Sequence, residues 1–226
     1  LIACMTKVTL PGTQELMKHK YVALILATGG SDMVRAAHSV GKPAYGVGPG
    51  NVPAYVDRSA DVAQAAKYIV ASKAFDHSVI CATEQAVVAD RPIAAQLEEM
   101  MKAEGAYFVD DNIKQILAKN LFVGHLPNPK GVGKSPQQLA QQYGFSVPDW
   151  ARILVVRLNS VGRDEPLSGE KLTTVLGWYE VDGWEEGCER SLELINYGGR
   201  GHSQVIHARD ENVIMQFGLE KPVFRI

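Results

Sequence analysis

The sequence is short of the features that would place it outside ordinary globular enzymes. It has only three cysteines, Cys4, Cys81 and Cys188, odd in number and far apart. That excludes a disulfide framework, and without a CxxC pair or a Cys/His cluster it excludes a zinc site as well. Charge of one sign is missing: the net charge is −2, which leaves no electrostatic footprint for nucleic acid or an anionic membrane. No apolar run reaches the ~18 residues of a membrane span. The opening stretch "LIACMTKVTL" lacks the charged region and small-residue cleavage site of a signal peptide. No repeat and no low-complexity tract breaks the chain. A reducing, cytosolic compartment is expected, with the cysteines as thiols.

What is present is an alternation of short apolar runs and amphipathic stretches. "YVALILAT" (21–28), "PAYGV", "VPAYVD", "EQAVVAD", "ARILVVRL", "TTVLGWYEV", "HSQVIHA" and a final "PVFRI" read as strands. Helices are expected over "SDMVRAAHSV" (31–40), "SADVAQAAKYIVASKAF" (59–75, with a serine N-cap), "RPIAAQLEEMMKAEG", "SPQQLAQQYG", "GWEEGCERSLELINYGG" and "DENVIMQFG". In the second of these, Val62, Ala65, Ala66, Ile69 and Val70 share one face. Residues 124–136, rich in Gly, Pro and Asn, read as a loop. Strands alternating with helices predict an α/β fold with a largely parallel sheet. Both ends fall inside apolar runs, so the chain is expected to be part of a longer polypeptide.

Several short motifs carry chemistry, each with a plainer reading beside it. In "HSVICATEQ" (77–85) Cys81 is either a small buried hydrophobe or a nucleophile. "ATGGSD" (27–32) runs from strand through a glycine pair into a helix, which suits a phosphate or is a common turn. "GVGPGN" (46–51) is either a tight turn or a place of close approach. "GVGK" (131–134) lacks the spacing of a phosphate loop and reads as a loop only. His202, after the glycine-rich "GGRG", has the titration range of a general base, although a lone histidine is more often structural. His207 lies five positions on and, on a strand, faces away, so the two would not chelate one metal.

Taken with Asn51, these residues lie within ordered blocks that resemble the CoA-acylating aldehyde dehydrogenases. The blocks are "LILATGGSDMVRAA", "GKPAYGVGPGNVPAYVDRSADV", "ASKAFDHSVICATEQAVV", "VGKSPQQLAQQYGFSVPD", "EKLTTVLGWYEV" and "YGGRGHSQVIH". The family includes acetaldehyde and propionaldehyde dehydrogenases and the aldehyde dehydrogenase half of bifunctional aldehyde-alcohol dehydrogenases. The resemblance implies an aldehyde dehydrogenase-like catalytic domain over 46–226, preceded over 1–45 by the C-terminal part of a Rossmann-like nucleotide-binding domain. It implies Cys81 as the thiol nucleophile, its backbone N–H in the oxyanion hole, and His202 as the base near the thiol or the incoming CoA. It implies Thr28, Gly29 and Gly30 as the nucleotide-binding turn and Glu170 as the carboxylate that holds the nicotinamide ribose. NAD as cofactor, coenzyme A and a short aldehyde as substrates, no metal, a homo-oligomeric full-length protein and a cytoplasmic or bacterial-microcompartment location follow.

Two departures stand out. Hydrolytic relatives in the wider superfamily carry a glutamate in an "ELGGK"-like segment, and Val47 stands near that place, so water would be poorly activated and a thiol favoured as acceptor. Members of the acylating family usually read "FDNG" before the cysteine block; this chain reads "FDHS", and His77 either alters the charge near Cys81 or faces solvent. As a part of the protein, the 226-residue chain is expected to turn over poorly. The competing readings are a non-catalytic α/β scaffold with an idle cysteine and a glutamyl-phosphate reductase-like enzyme using NADPH.

Overall fold

A computed structural model describes residues 2–226. The chain divides into two compact units, one ending at Pro49 and one beginning at Gly50, where the sequence placed the division after residue 45.

The first unit holds α1 (Leu10–Lys18), β1 (Ile25–Thr28), α2 (Ser31–His38) and β2 (Ala44–Val47). β1 and β2 pair in parallel, and Met17, Ile25, Ala27 and Ala37 form a small core. The expected strand over 21–28 is confined to its second half. α1 lies in a stretch for which no element was expected; Pro11 occupies its first turn, where no N–H is needed, and Thr9 caps the helix by accepting from the Gly12 amide.

The second unit is built on six parallel strands: β3 (Val52–Val56), β4 (Glu84–Asp90), β5 (Ala106–Phe108), β8 (Ile153–Arg157), β9 (Val175–Val181) and β10 (Val205–His207). They lie in the order β10-β3-β4-β9-β8-β5. Crossovers run through α3 (Val62–Ala74), α4 (Arg91–Ala103), α5 (Asp111–Asn120), α6 (Pro136–Tyr143) and α7 (Trp184–Gly198), and α8 (Glu211–Glu220) follows β10. A two-residue antiparallel pair, β6 (Phe122–Val123) and β7 (Leu126–Pro127), interrupts the expected 124–136 loop.

Both faces of this sheet are buried, which is why its central strands carry apolar residues at consecutive positions rather than at alternate ones. Ala54, Val56, Val87, Ala89, Ile153, Val155, Leu176 and Trp178 pack with α3 and α4 on one side. Their sequence neighbours Tyr55, Ala86, Val88, Leu154, Val156, Val175 and Tyr179 point to the other side, against α5 to α8. Each fully buried Val or Leu contributes roughly 1.5–3 kcal/mol.

The helix ends follow their caps. Ser135 forms a reciprocal capping box with Gln138, as its position ahead of "PQQL" suggests. α3 starts two residues later than the serine expectation: its N-cap is Asp61, whose side chain accepts from the Gln64 amide. α5, also unexpected, is capped by Asp110. The expected final strand over "PVFRI" is absent: this segment makes only an isolated bridge, Arg225 with Ser203. Among the described residues no helix is long and apolar enough to cross a membrane.

Candidate active site

Four adjacent parallel strands present their amino-terminal ends together. Asn51 precedes β3, Cys81 lies in the loop before β4, Glu170 in the loop before β9, and His202 in the turn before β10. In open α/β sheets ligands ordinarily sit beyond the carboxyl ends of the strands. Here the candidate chemistry collects at the opposite edge.

Gly50 shows how closely these residues meet. Its N–H donates to Glu170 Oε1 at 2.9 Å. A Cβ at this position would overlap the carbonyl oxygen of Cys81 and lie 2.9 Å from His202 Nδ1. Gly50 is therefore the close-approach glycine of the "GVGPGN" stretch, and only a residue without a side chain lets the three groups converge. Next to it, Asn51 is buried and donates through Nδ2 to Ser168 O (2.9 Å) and Leu194 O (3.0 Å), tying the start of β3 to the Glu170 loop and to α7.

Cys81 is half-buried, and among the described residues no hydrogen bond engages its Sγ or its backbone N–H. The two other cysteines are placed differently. Cys4 is exposed, and Cys188 is buried on α7, accepting from Lys221 Nζ at 3.0 Å. His77 is exposed and so faces solvent. His202 is 2% exposed. Burial, with the nearby Arg225 guanidinium, lowers its pKa and keeps the ring neutral. Its Nδ1 is 3.1 Å from Ser203 Oγ, which also accepts from Arg225 Nε (3.1 Å) and Nη2 (3.0 Å). A hydroxyl can accept from or donate to Nδ1, so it can hold either neutral tautomer. Nε2 has no partner among the described residues.

Burial raises the Glu170 carboxyl to about 6, against the lowering influence of the Gly50 N–H and of Lys73 and Lys171. Among the described residues its second oxygen makes no hydrogen bond. Beneath it lies a polar strut that sequence reasoning missed. Gln85 Oε1 accepts from the Lys171 amide (3.1 Å) and from Lys73 Nζ (3.3 Å), linking β4, the Glu170 loop and α3. Both lysines are fully buried. Lys171 donates to Leu167 O (2.8 Å) and Gly169 O (2.7 Å), and burial lowers its pKa to about 7. Lys73 is lowered by burial and then by Lys171. The signal was available: Lys73 lies four residues after Ile69, on the apolar face of α3. The "GVGK" loop is a brace, since Lys134 O accepts from the hydroxyls of Thr173 (3.0 Å) and Thr174 (2.9 Å).

Thr28, the last residue of β1, and Gly29 and Gly30, which join β1 to α2, lie exposed in the first unit. Gly30 is the N-cap of α2 and makes no side-chain cap, and Gly29 N–H donates to Val47 O at 3.2 Å. Thr28 also lines an apolar groove of about 420 Å³ with Leu16, Met17, Leu24 and Met33. No group of histidine, cysteine and carboxylate side chains able to hold a metal occurs among the described residues.

No family model matches the chain. Individual proteins do. It is 42% identical to aldehyde-alcohol dehydrogenase 2 of Entamoeba histolytica over 223 residues, 95% of this chain and 26% of that protein. It superimposes on an acetylating aldehyde dehydrogenase from Geobacillus thermoglucosidasius with a TM-score of 0.96 and 46% identity, covering 100% of this chain and 50% of that one. Over nearly its whole length the chain is similar to acylating aldehyde dehydrogenases. A propionaldehyde dehydrogenase of Rhodopseudomonas palustris, solved with CoA bound and an acylated cysteine, matches at a TM-score of 0.84 and 29% identity over 93% of this chain and 47% of that one. The chain thus spans about a quarter of the aldehyde-alcohol dehydrogenase and about half of the solved acylating dehydrogenases. The α/β fold expected of the sequence is the fold observed.

Proposed function

We propose that this chain carries the thiol chemistry of an acylating aldehyde dehydrogenase, which converts a short aldehyde to an acyl-CoA. The convergence of Cys81, His202 and Glu170 on Gly50 is the observation that carries this reading. The Cys81 thiolate attacks the aldehyde carbon and forms a tetrahedral adduct. The unengaged N–H of Cys81 points to a role as oxyanion donor, a contact of a kind whose removal costs ~3 kcal/mol in comparable sites. Loss of hydride from the adduct leaves a thioester on Cys81. A nicotinamide dinucleotide, NAD in this reading, supplies the acceptor for that hydride.

Glu170 fits the nucleotide, since its second carboxylate oxygen is available to accept from ribose hydroxyls while the first is held by Gly50. The turn Thr28-Gly29-Gly30 opens α2 with uncapped amides suited to a phosphate. Coenzyme A then takes the acyl group. His202, neutral, removes the proton of the incoming thiol through Nε2, with Nδ1–H directed to Ser203 Oγ. Attack of the CoA sulfur on the thioester carbon expels Cys81 as thiolate and restores the starting state. Homo-oligomeric assembly and a cytoplasmic location belong to the same reading.

The test is Cys81→Ala in the intact polypeptide, assayed with short aldehydes, CoA and NAD or NADP. The expected outcome is loss of acyl-CoA formation, together with an acyl adduct on Cys81 of the unsubstituted protein when CoA is withheld. Appreciable turnover by the alanine variant overturns the assignment. Formation of free acid at the same rate as acyl-CoA overturns the choice of CoA as acceptor.

A further inference from the structure

The backbone ahead of Cys81 is strained. Asp76, His77 and Ser78 have φ of 47°, 48° and 62°, three consecutive left-handed residues, none of them glycine. Each costs roughly 1–2 kcal/mol relative to ordinary backbone. Such a run persists only where its surroundings hold it, and it marks places where geometry matters to function.

The hold is visible. Ser78 is fully buried, and its Oγ lies 2.7 Å from Thr83 Oγ1. The Thr83 hydroxyl donates to the carbonyl oxygen of Ile80 at 2.9 Å, and the Thr83 amide donates to the same oxygen at 3.1 Å. A hydroxyl has a single proton, and that of Thr83 is already committed to Ile80, so Ser78 is the donor between the two side chains. The bonds run in one direction, from Ser78 through Thr83 to Ile80, and close the segment 78–83 around Cys81.

Ile80 C=O and Cys81 N–H are the two ends of one planar peptide unit. Fixing the oxygen by two donors therefore fixes where the Cys81 N–H points. Hydrogen bonds in series polarise one another, so an oxygen that accepts two of them makes the N–H across the same amide a stronger donor.

We propose that Ser78 and Thr83 are positioning residues that aim and strengthen the Cys81 N–H as the oxyanion donor. They touch neither substrate nor cofactor and act through the Ile80–Cys81 peptide. The proposal rests on Cys81 being the nucleophile. Ser78 takes the left-handed position that glycine would take without strain, and its hydroxyl adds the hydrogen bond that glycine lacks.

The experiment compares acyl-CoA formation with alkylation of Cys81 by iodoacetamide in the full-length protein. Alkylation needs the thiolate but develops no oxyanion. Thr83→Val, which keeps shape and removes the hydroxyl, is expected to lower kcat about tenfold with little change in the aldehyde KM, while the alkylation rate stays within about twofold. Thr83→Ser is expected to restore kcat. Ser78→Gly, which relieves the strain and so folds, is expected to lower kcat without lowering the melting temperature. The double variant is expected to be no slower than Thr83→Val alone, because both act on one oxygen.

An unchanged kcat in Thr83→Val and Ser78→Gly overturns the proposal. So does a parallel fall of kcat, alkylation rate and melting temperature, which would make the pair merely structural. Turnover by Cys81→Ala would remove the nucleophile itself, a failure separable from either result.

Discussion

The two edges of the six-stranded sheet are built differently. At the carboxyl ends of β4, β8 and β9 charges are matched, although His207 at the end of β10 keeps its Nε2 buried without a partner among the described residues. Arg58 binds the fully buried Asp90 through Nε (2.5 Å) and Nη2 (3.1 Å), and the Gly183 amide completes that carboxylate at 3.1 Å. Arg91 spans Asp182 (2.6 Å) and Glu180 (3.3 Å), and Arg157 reaches Glu98 (2.5 Å) and Glu180 (3.6 Å). At the amino edge groups are left short of partners. His202 Nε2 is buried without one among the described residues, Glu170 is raised to about 6, Lys171 is lowered to about 7, and three left-handed residues precede Cys81. Each of these features opposes folding, and they cluster around one glycine. Strained backbone and perturbed ionisation beside a thiol favour the amino ends as the candidate site.

Substitutions at the two edges test this contrast. The largest effect is expected for Cys81→Ala: at least about a thousandfold loss of acyl-CoA formation, measured as steady-state turnover, with the melting temperature nearly unchanged because the sulfur makes no hydrogen bond.

Gly50→Ala joins function and stability. The added methyl overlaps the backbone oxygen of Cys81, which cannot step aside as a flexible side chain would. Turnover is expected to fall about a hundredfold, and urea unfolding is expected to report a loss of ~1–3 kcal/mol. Full activity in this variant would show that the three groups do not need to meet there.

Glu170→Gln is expected to weaken nucleotide binding about tenfold and to remove its pH dependence. In the unsubstituted protein, binding followed by fluorescence titration should weaken as pH falls through about 6, where the carboxylate takes up a proton. The stability effect has the opposite sign. The folded-state pKa lies above that of the unfolded chain, so the unsubstituted protein should lose stability relative to Glu170→Gln as pH rises from 4.5 through about 6.

The smallest functional effect is expected at the carboxyl edge. Asp90→Asn leaves Arg58 and the Gly183 amide less well satisfied. The urea midpoint should fall while Cys81 alkylation and turnover stay within about twofold. A large loss of turnover would erase the distinction between the edges.

Much of the second unit was legible because its sheet is buried on both faces. Short stretches rich in β-branched and aromatic residues, such as "EQAVVAD" and "TTVLGWYEV", read as strands, and caps such as Ser135 stand at fixed offsets from the helices they start. Elements that depend on context were not legible. α1 carries Pro11 and Gly12 near its start, residues of poor helix propensity that a first turn tolerates. "PVFRI" has the composition of a strand, but the bonds it makes are scattered: Gln204 N–H to Arg225 O at 3.0 Å, Phe224 N–H to His202 O at 3.3 Å, and Arg225 to Ser203 Oγ. At the site, Cys81, His202 and Glu170 were named through resemblance. Gly50, Ser78, Thr83 and Ser203 were not, because their roles exist only in what they touch.

By itself the sequence determined the alternation of strand and helix, the apolar faces and the presence of one thiol among small and polar neighbours. These are properties of residues within a few positions of one another, and local periodicity and capping record them. Which edge of the sheet gathers the chemistry was decided by the tertiary structure alone. Residues 50, 81, 170 and 202 meet because parallel pairing brings the starts of β3, β4, β9 and β10 side by side, and no local pattern encodes that order.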